Sequence, residues 1–420
     1  MEEKNIRHEY NEISFGNGNL YRGDIKLINE KDPYMDGKGI LYYPNGDYYL
    51  GDFKDDKMEG FGMLVDNETK NYVIGQFSND MINGLGIYHF IDKGNIYKGY
   101  FKDNYMEGYG EYYYNDGNIY KGEFKKNKLE GIGIFEFSFG DKYKGEFSDD
   151  KMCGVGTYTF SDGDYHEGLY QNDVKNGYGI MHLKSEKKRY EGNYKDDKKN
   201  GYGELINTDG SQYIGLFYNN EFNGWNIYIN PLGIIYIGLF INNYLNGKGY
   251  CYNSENEYIY KGDFKYSKKE GFGEEFYLGN KYKGQFKNDK KDGNGEMTLK
   301  NNDFYIGNFL NDKFNGKGKY IWNNMNKEYE GDFVEGKIHG NGYLKWGNDM
   351  FYKGEFNNGV KEGKGEFGYI HGNKFFLNFK MGLPIGKGYM RDKNNILYEI
   401  VFNQGKIIDN NGNEYLFPFQ

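Results

Sequence analysis

The sequence predicts an all-β fold, an elongated, strongly twisted antiparallel meander one layer thick. Three observations lead there: a phrase that returns at a nearly fixed interval, a side-chain period of two inside each phrase, and a composition dominated by glycine and aromatics. The 420 residues include 64 Gly, 46 Tyr and 32 Phe, with only 5 Pro and no Ala. This glycine share, about 15%, is roughly twice ordinary usage. Missing alanine, with abundant Asn, Lys, Ile and Tyr, points to an A/T-rich genome such as a protist's.

The interval is read from the glycine of a Y-x-G-x-F phrase, at Gly23, Gly51, Gly75, Gly99, Gly122 and onward to Gly354. After the first gap every spacing is 22, 23 or 24 residues. Nine positions later, from Gly51 on, comes G-x-G: Gly60/Gly62, Gly84/Gly86, Gly108/Gly110, and so on to Gly363/Gly365. A fixed period of this length marks a stacked repeat architecture.

Within a copy, Tyr97, Gly99 and Phe101 alternate with Lys98 and Tyr100, and Gly108, Gly110, Tyr112 and Tyr114 alternate with Tyr109, Glu111 and Tyr113. Period two marks strands. A polar segment such as KDNYME separates the two phrases, and Gly-centred turns such as NDGN separate the copies. Asx-Gly pairs suit tight hairpins because glycine accepts positive φ. Each copy is therefore expected to be one hairpin. Gly99 and Gly108 are expected to leave room for Tyr and Phe rings, which supply the buried area that a lone hairpin lacks.

Along the chain, residues 1–20 read as an N-terminal segment or cap, and 21–365 as the regular array of about fifteen copies. Residues 366–420 read as degenerate copies ending in a cap or dimerisation segment. The first copy carries a longer loop, KLINEKDPYMD. Val73 and His166 replace the leading Tyr of their copies, and Asn226 replaces a glycine. The last two copies are decayed: Phe375, Leu377 and Phe379, then Tyr398, Ile400 and Phe402, hold the opening places, and KFFLNF, ILYEIVF and EYLFPF carry few charges. A terminal strand needs a cap or a partner, so folding back and homodimerisation through these repeats are both open.

Y-x-G-x-F-x6-G-x-G in phase over residues 21 to 412 resembles the MORN (membrane occupation and recognition nexus) repeat. The resemblance implies an elongated β-ribbon, often dimeric, that serves as a non-enzymatic scaffold or spacer docking cytoskeletal or membrane-associated proteins. Other settings it suggests are a structural part of the ciliary or flagellar axoneme, as in a radial spoke, and a regulatory subunit or phosphoinositide-binding adaptor. Some relatives carry a catalytic domain beside the repeats, and none is expected here, since the repeats fill nearly the whole sequence.

The residues point to no catalysis, metal or cofactor. The G-x-G-x-x-G at Gly363, Gly365 and Gly368 is built from the repeat's own glycines, without the strand-to-helix setting a dinucleotide needs. His8, His89, His166, His182, His339 and His371 lack metal spacing. Cys153 and Cys251 stand about four repeats apart, roughly 40 Å at two strands of ~4.8 Å each, beyond disulfide reach. Carboxylates, as in Ser148 to Asp150, are expected in solvated loops. A net charge of −9 argues against general nucleic-acid binding. No apolar run is long enough to span a bilayer, and MEEKNIRHEY lacks a signal core. A cytoplasmic protein at the cytoskeleton, cortex or flagellum, peripheral to membranes at most, is expected.

Two binding surfaces suggest themselves. The recurring aromatics, among them Tyr97, Phe101, Tyr213, Phe217, Tyr236, Phe240, Tyr260 and Phe264, form either the protein's own hydrophobic layer or a groove for a partner peptide or helix. Residues 181–199 and 261–291 carry local charges of +3 and +4. Lys187, Lys188, Arg189, Lys198, Lys199, Lys268, Lys269, Lys290 and Lys291 are candidates for weak contact with anionic lipid.

Overall fold

The computed structural model describes residues 6–28, 32–255, 257–403 and 406–416. Its regular elements are all β-strands, apart from one 3-10 turn at Asn323–Met325. The chain falls into two units. The first comprises Met1–Thr208 with Tyr218–Asn220, the second Asp209–Phe217 with Glu221–Gln420. In the first, each strand from Ile6–Ser14 to Lys198–Ile206 pairs antiparallel with the next in sequence. The second continues the same meander from Gly224–Ile229 to Glu414–Leu416. Strand Ile6–Ser14 already pairs with Leu20–Ile28, so the segment before the first copy joins the sheet. The longer first loop includes residues outside those described, as does the end of EYLFPF.

The copy from 95 to 113 shows why a single layer holds. Strands Asn95–Lys102 and Tyr105–Tyr113 bring Gly99 opposite Gly110. The Tyr97 ring lies flat over both, so that a Cβ on either glycine would collide with it. Tyr97 is fully buried, and its hydroxyl donates to the Tyr100 carbonyl at 2.8 Å. Phe101 meets it edge-on at 5.1 Å, and Phe124 of the next copy does the same at 5.0 Å. Tyr97 is thus gripped by two phenylalanines, one from its own copy and one from the next. Such edge-to-face pairs contribute about 0.5–1.5 kcal/mol beyond their buried area. The pattern recurs at Tyr120 with Phe124 and Phe147, and at Tyr282 with Phe286 and Phe309.

Gly108 is glycine for a different reason from the one expected. Its φ is +64°, beside a bulge between Gly99 and Phe101, and a Cβ there would meet only Tyr100 Cβ at 3.8 Å. Backbone conformation, rather than room for a ring, sets this position. Among the glycines of one copy, two face a ring and one makes the bulge.

The turns also depart from expectation. The two-residue hairpin turn lies at the middle of a copy, at Asp103 and Asn104, whose φ values are +49° and +72°. The Gly-centred turns between copies are wider, with Tyr114 N–H bonded to the Asn118 carbonyl at 3.0 Å. Polar tip residues do more than solvate. Asn104 Oδ1 accepts the Ile82 N–H of the preceding copy at 3.0 Å, while the Asn104 N–H donates back to the Ile82 carbonyl at 3.2 Å. Asp150, expected to be a solvated loop carboxylate, latches Leu129 in the same reciprocal way. At the opposite edge Asn118 Oδ1 accepts the Ser138 N–H at 2.8 Å. Both edges are thereby fastened copy to copy, which a stacked array needs since a lone hairpin is marginal.

The decayed copies keep the alternation. Phe375, Leu377 and Phe379 are buried, and Leu377 fills the space over Gly388. His166 stands in a tyrosine's place, its Nδ1 2.7 Å from the Tyr170 hydroxyl and its Nε2 buried without a hydrogen-bond partner among the described residues.

Alanine at the two kinds of glycine separates their roles. Gly110→Ala, which drives a methyl group into the Tyr97 ring, is expected to destabilise by about 1–3 kcal/mol. Gly108→Ala is expected to cost about 1 kcal/mol, from backbone conformation alone. Urea midpoints of the two variants give the order, and a larger loss for Gly108→Ala contradicts the assignment.

Candidate functional site

Because the tyrosine rings occupy one face of each unit, the other face has no layer over it. Its centre is the ladder of facing glycines, seen from the side away from the rings, and its walls are the side chains one residue before and after each glycine. In the first unit the middle residue of G-x-G points outward here. Phe61, Leu85, Tyr109, Ile132, Val155 and Tyr202 are each between 59% and 65% exposed. Beside them runs a row in direct cross-strand register, Leu50, Met63, Ile74 and Ile87. Phe61, Ile74, Leu85 and Tyr109 help to line a groove of about 500 Å³. Exposed apolar rows of this extent mark interaction surfaces more often than bare solvent contact.

The second unit refills the same positions differently. Lys248, Asn294, Lys317, Asn341, Lys364 and Lys387 take the middle of G-x-G, with Trp225 and Phe272 as apolar exceptions. A groove of about 1150 Å³ lies over the glycines from Gly307 to Gly388.

The aromatic row singled out in the sequence lies on the covered face. Tyr97, Phe101, Phe217, Phe240, Tyr260 and Phe264 are no more than 5% exposed within the chain itself. Tyr213 and Tyr236 are half-buried. These side chains present their surface to one another, and the open rows are those of the G-x-G middles. Period-two alternation could have located them, since Tyr109 falls between two glycines and opposite in phase to Tyr97.

The candidate lipid-binding cations are divided between the two units. Lys187, Lys188, Arg189, Lys198 and Lys199 belong to the first unit, and Lys268, Lys269, Lys290 and Lys291 to the second. Lys187, Lys198, Lys268 and Lys290 are exposed, and Lys188 is half-buried. Arg189 pairs with Glu191. Lys199 takes the place that Met58 and Met106 hold in earlier copies, its ammonium 5.2 Å from the Tyr190 ring centre. Burial, with Lys188 adding, pulls it down to about 8. Lys269 and Lys291 grip Glu275 from two sides, and Tyr258 donates to the same carboxylate at 3.2 Å. Burial pushes the Glu275 carboxyl up, but Lys291 and Lys269 outweigh it and hold it below the usual range.

Among the described residues, no group of three or more His, Cys, Asp or Glu could hold a metal ion. Nor, among the described residues, is any helix long and apolar enough to cross a membrane.

The MORN repeat, as a family model, matches fourteen segments of the sequence, from 34–48 and 49–67 through 329–350 and 352–373. The chain belongs to the MORN repeat family. The stretch left unmatched between 212 and 236 is the copy in which Asn226 replaces a glycine. No curated protein matches the chain. Among solved structures it is similar to the TCP domain of SAS-4 from Drosophila melanogaster in complex with a proline-rich motif of Ana2. That match is 14% identical, with a TM-score of 0.25, covering 42% of this chain and 84% of the other. The TCP10c domain of Drosophila melanogaster Sas-4 matches at 15% identity and a TM-score of 0.23, covering 42% and 94%.

Lys199 gives a pH test of the packing. Its folded value near 8 lies below the ordinary 10.5. The unfolded chain therefore binds more protons between those values, and stability from this site rises with pH through that window. Lys199→Met is expected to be more stable than the wild type by about 1 kcal/mol at pH 7, with the advantage shrinking as pH climbs from 8 to 10.5. Thermal melts of both proteins across that range check it, and a constant gap contradicts the burial of the charge.

Proposed function

We propose that this MORN protein is a non-enzymatic scaffold that docks partner proteins along its open face. Cytoskeletal or membrane-associated assemblies are the setting that its family suggests. The observation that carries the reading is the row of outward side chains at Phe61, Leu85, Tyr109, Ile132, Val155 and Tyr202. The fold does not require apolar residues there, since the same repeat position holds Lys or Asn in other copies. Their presence is therefore explained by what they face. A groove floored by glycine and walled by aromatic and aliphatic side chains supplies contact area without a pocket for chemistry.

Phe61→Ser, Leu85→Ser and Tyr109→Ser combined in one chain test this. Surface changes of this kind leave stability within about 0.5 kcal/mol each. Affinity purification from the native cells, quantified by mass spectrometry, is expected to show partner recovery falling at least tenfold with an unchanged melting temperature. Undiminished recovery of every partner removes the proposal.

A further inference from the structure

The groove of the second unit is basic in a chain whose net charge is −9. Its lining includes Lys317, Lys319, Lys353, Lys364 and Lys387 against Glu330 and Glu366. Two of these lysines are engaged within the protein, Lys317 with Asp332 at 2.6 Å and Lys319 with Glu328 at 2.9 Å. Lys353, Lys364 and Lys387 are exposed and make no ion pair with any described residue. Lys364 and Lys387 occupy positions that hold Tyr109 and Ile132 in the first unit, so the repeat does not dictate their charge.

We infer that this groove binds an extended, acidic peptide segment of a partner protein, in which carboxylates are interspersed with apolar side chains. The inference rests on the docking reading above and names the occupant for one half of the chain. Its chemistry follows from the walls. Tyr343, Lys353, Glu366, Phe376 and Tyr389 stand in successive cross-strand register along one side, two charged groups flanked by aromatic ones. Lys364 and Lys387 line the other.

The shape follows from strand geometry. The two walls are two residues apart along each strand, about 7 Å, which admits an extended chain but not a helix about 10 Å across. Eight strands, Phe304–Leu310 to Leu383–Arg391, span about 34 Å at ~4.8 Å each, the length of roughly ten extended residues. A bilayer would touch only the rims of so recessed a floor. A nucleic-acid backbone, charged at every nucleotide, would set phosphates against Glu330 and Glu366, where a peptide can place its apolar side chains. The sheet's own ladder uses the floor's backbone groups, so recognition falls to side chains, and three unpaired ammonium groups select carboxylates.

The test uses the full chain and a fluorescein-labelled twelve-residue peptide alternating glutamate with tyrosine, followed by fluorescence anisotropy. Comparison probes are the matching lysine–tyrosine peptide, phosphatidylserine vesicles and a single-stranded DNA oligonucleotide. Saturable binding of the acidic peptide, weakening with salt, is expected. Lys353→Glu, Lys364→Glu and Lys387→Glu together should weaken it at least tenfold. The same charge change outside the groove, Lys265→Glu, Lys287→Glu and Lys290→Glu, should stay within twofold, with both variants melting like the wild type. Equal weakening by both triple variants overturns the groove assignment. Tighter binding of vesicles or DNA than of the acidic peptide overturns the peptide as occupant. If partner recovery in native cells still depends on Phe61, Leu85 and Tyr109 after such a result, the scaffold reading stands and only the acidic occupant falls.

Discussion

A tyrosine ring lying flat on two facing glycines, clasped at its edges by two phenylalanines, is the contact on which the rest of the structure depends. A single β-sheet has no second layer to bury its apolar face. Here the second layer is made from the rings themselves, and the glycines lower the floor enough for the rings to lie down. Because the second phenylalanine belongs to the next copy, the contact that stabilises one hairpin also joins it to its neighbour. Stability is therefore shared along each unit rather than held in a centre.

This device divides the molecule into positions that the fold dictates and positions that it leaves free. Tyr97, Phe101, Gly99 and Gly110 are dictated, as are Gly108 by its backbone and Asn104 by its latch. The middle of G-x-G is free, and the chain fills it mostly with apolar groups in the first unit, Lys38 excepted, and mostly with Lys and Asn in the second. Function is best sought at the free positions, because nothing in the folding of the repeat explains what stands there. The same division explains the lysines at 199, 269 and 291. They sit at dictated, covered positions, where aromatic faces and Glu275 compensate the ammonium groups.

Period and alternation made the fold legible from the sequence: the 23-residue spacing gave the hairpins, and Tyr97, Gly99 and Phe101 in phase gave a common face. The distinct jobs of Gly108 and Gly110 were not legible, because a letter does not report φ. Nor was the latch made by Asp150, since its partner Leu129 lies a whole copy earlier and a tip carboxylate resembles any solvated one. The covered state of Lys199 was hidden by its neighbours in a charged run, although the methionines at the equivalent positions 58 and 106 were a signal. The candidate face was half legible. Alternation placed Tyr97 and Tyr109 on opposite sides, but only ring-over-glycine packing tells which side is covered.

The most direct measurement is amide hydrogen exchange on Tyr120→Phe and Tyr120→Leu in the full chain. Phenylalanine keeps the ring over Gly122 and Gly133 and loses only the hydroxyl's bond to the Glu123 carbonyl. Leucine removes the ring that Phe124 and Phe147 clasp. The account predicts a loss of about 1 kcal/mol in local protection for Phe. For Leu it predicts about 3 kcal/mol or more, spreading into the copies on both sides. Equal losses for the two variants, or a loss confined to one copy, would contradict it.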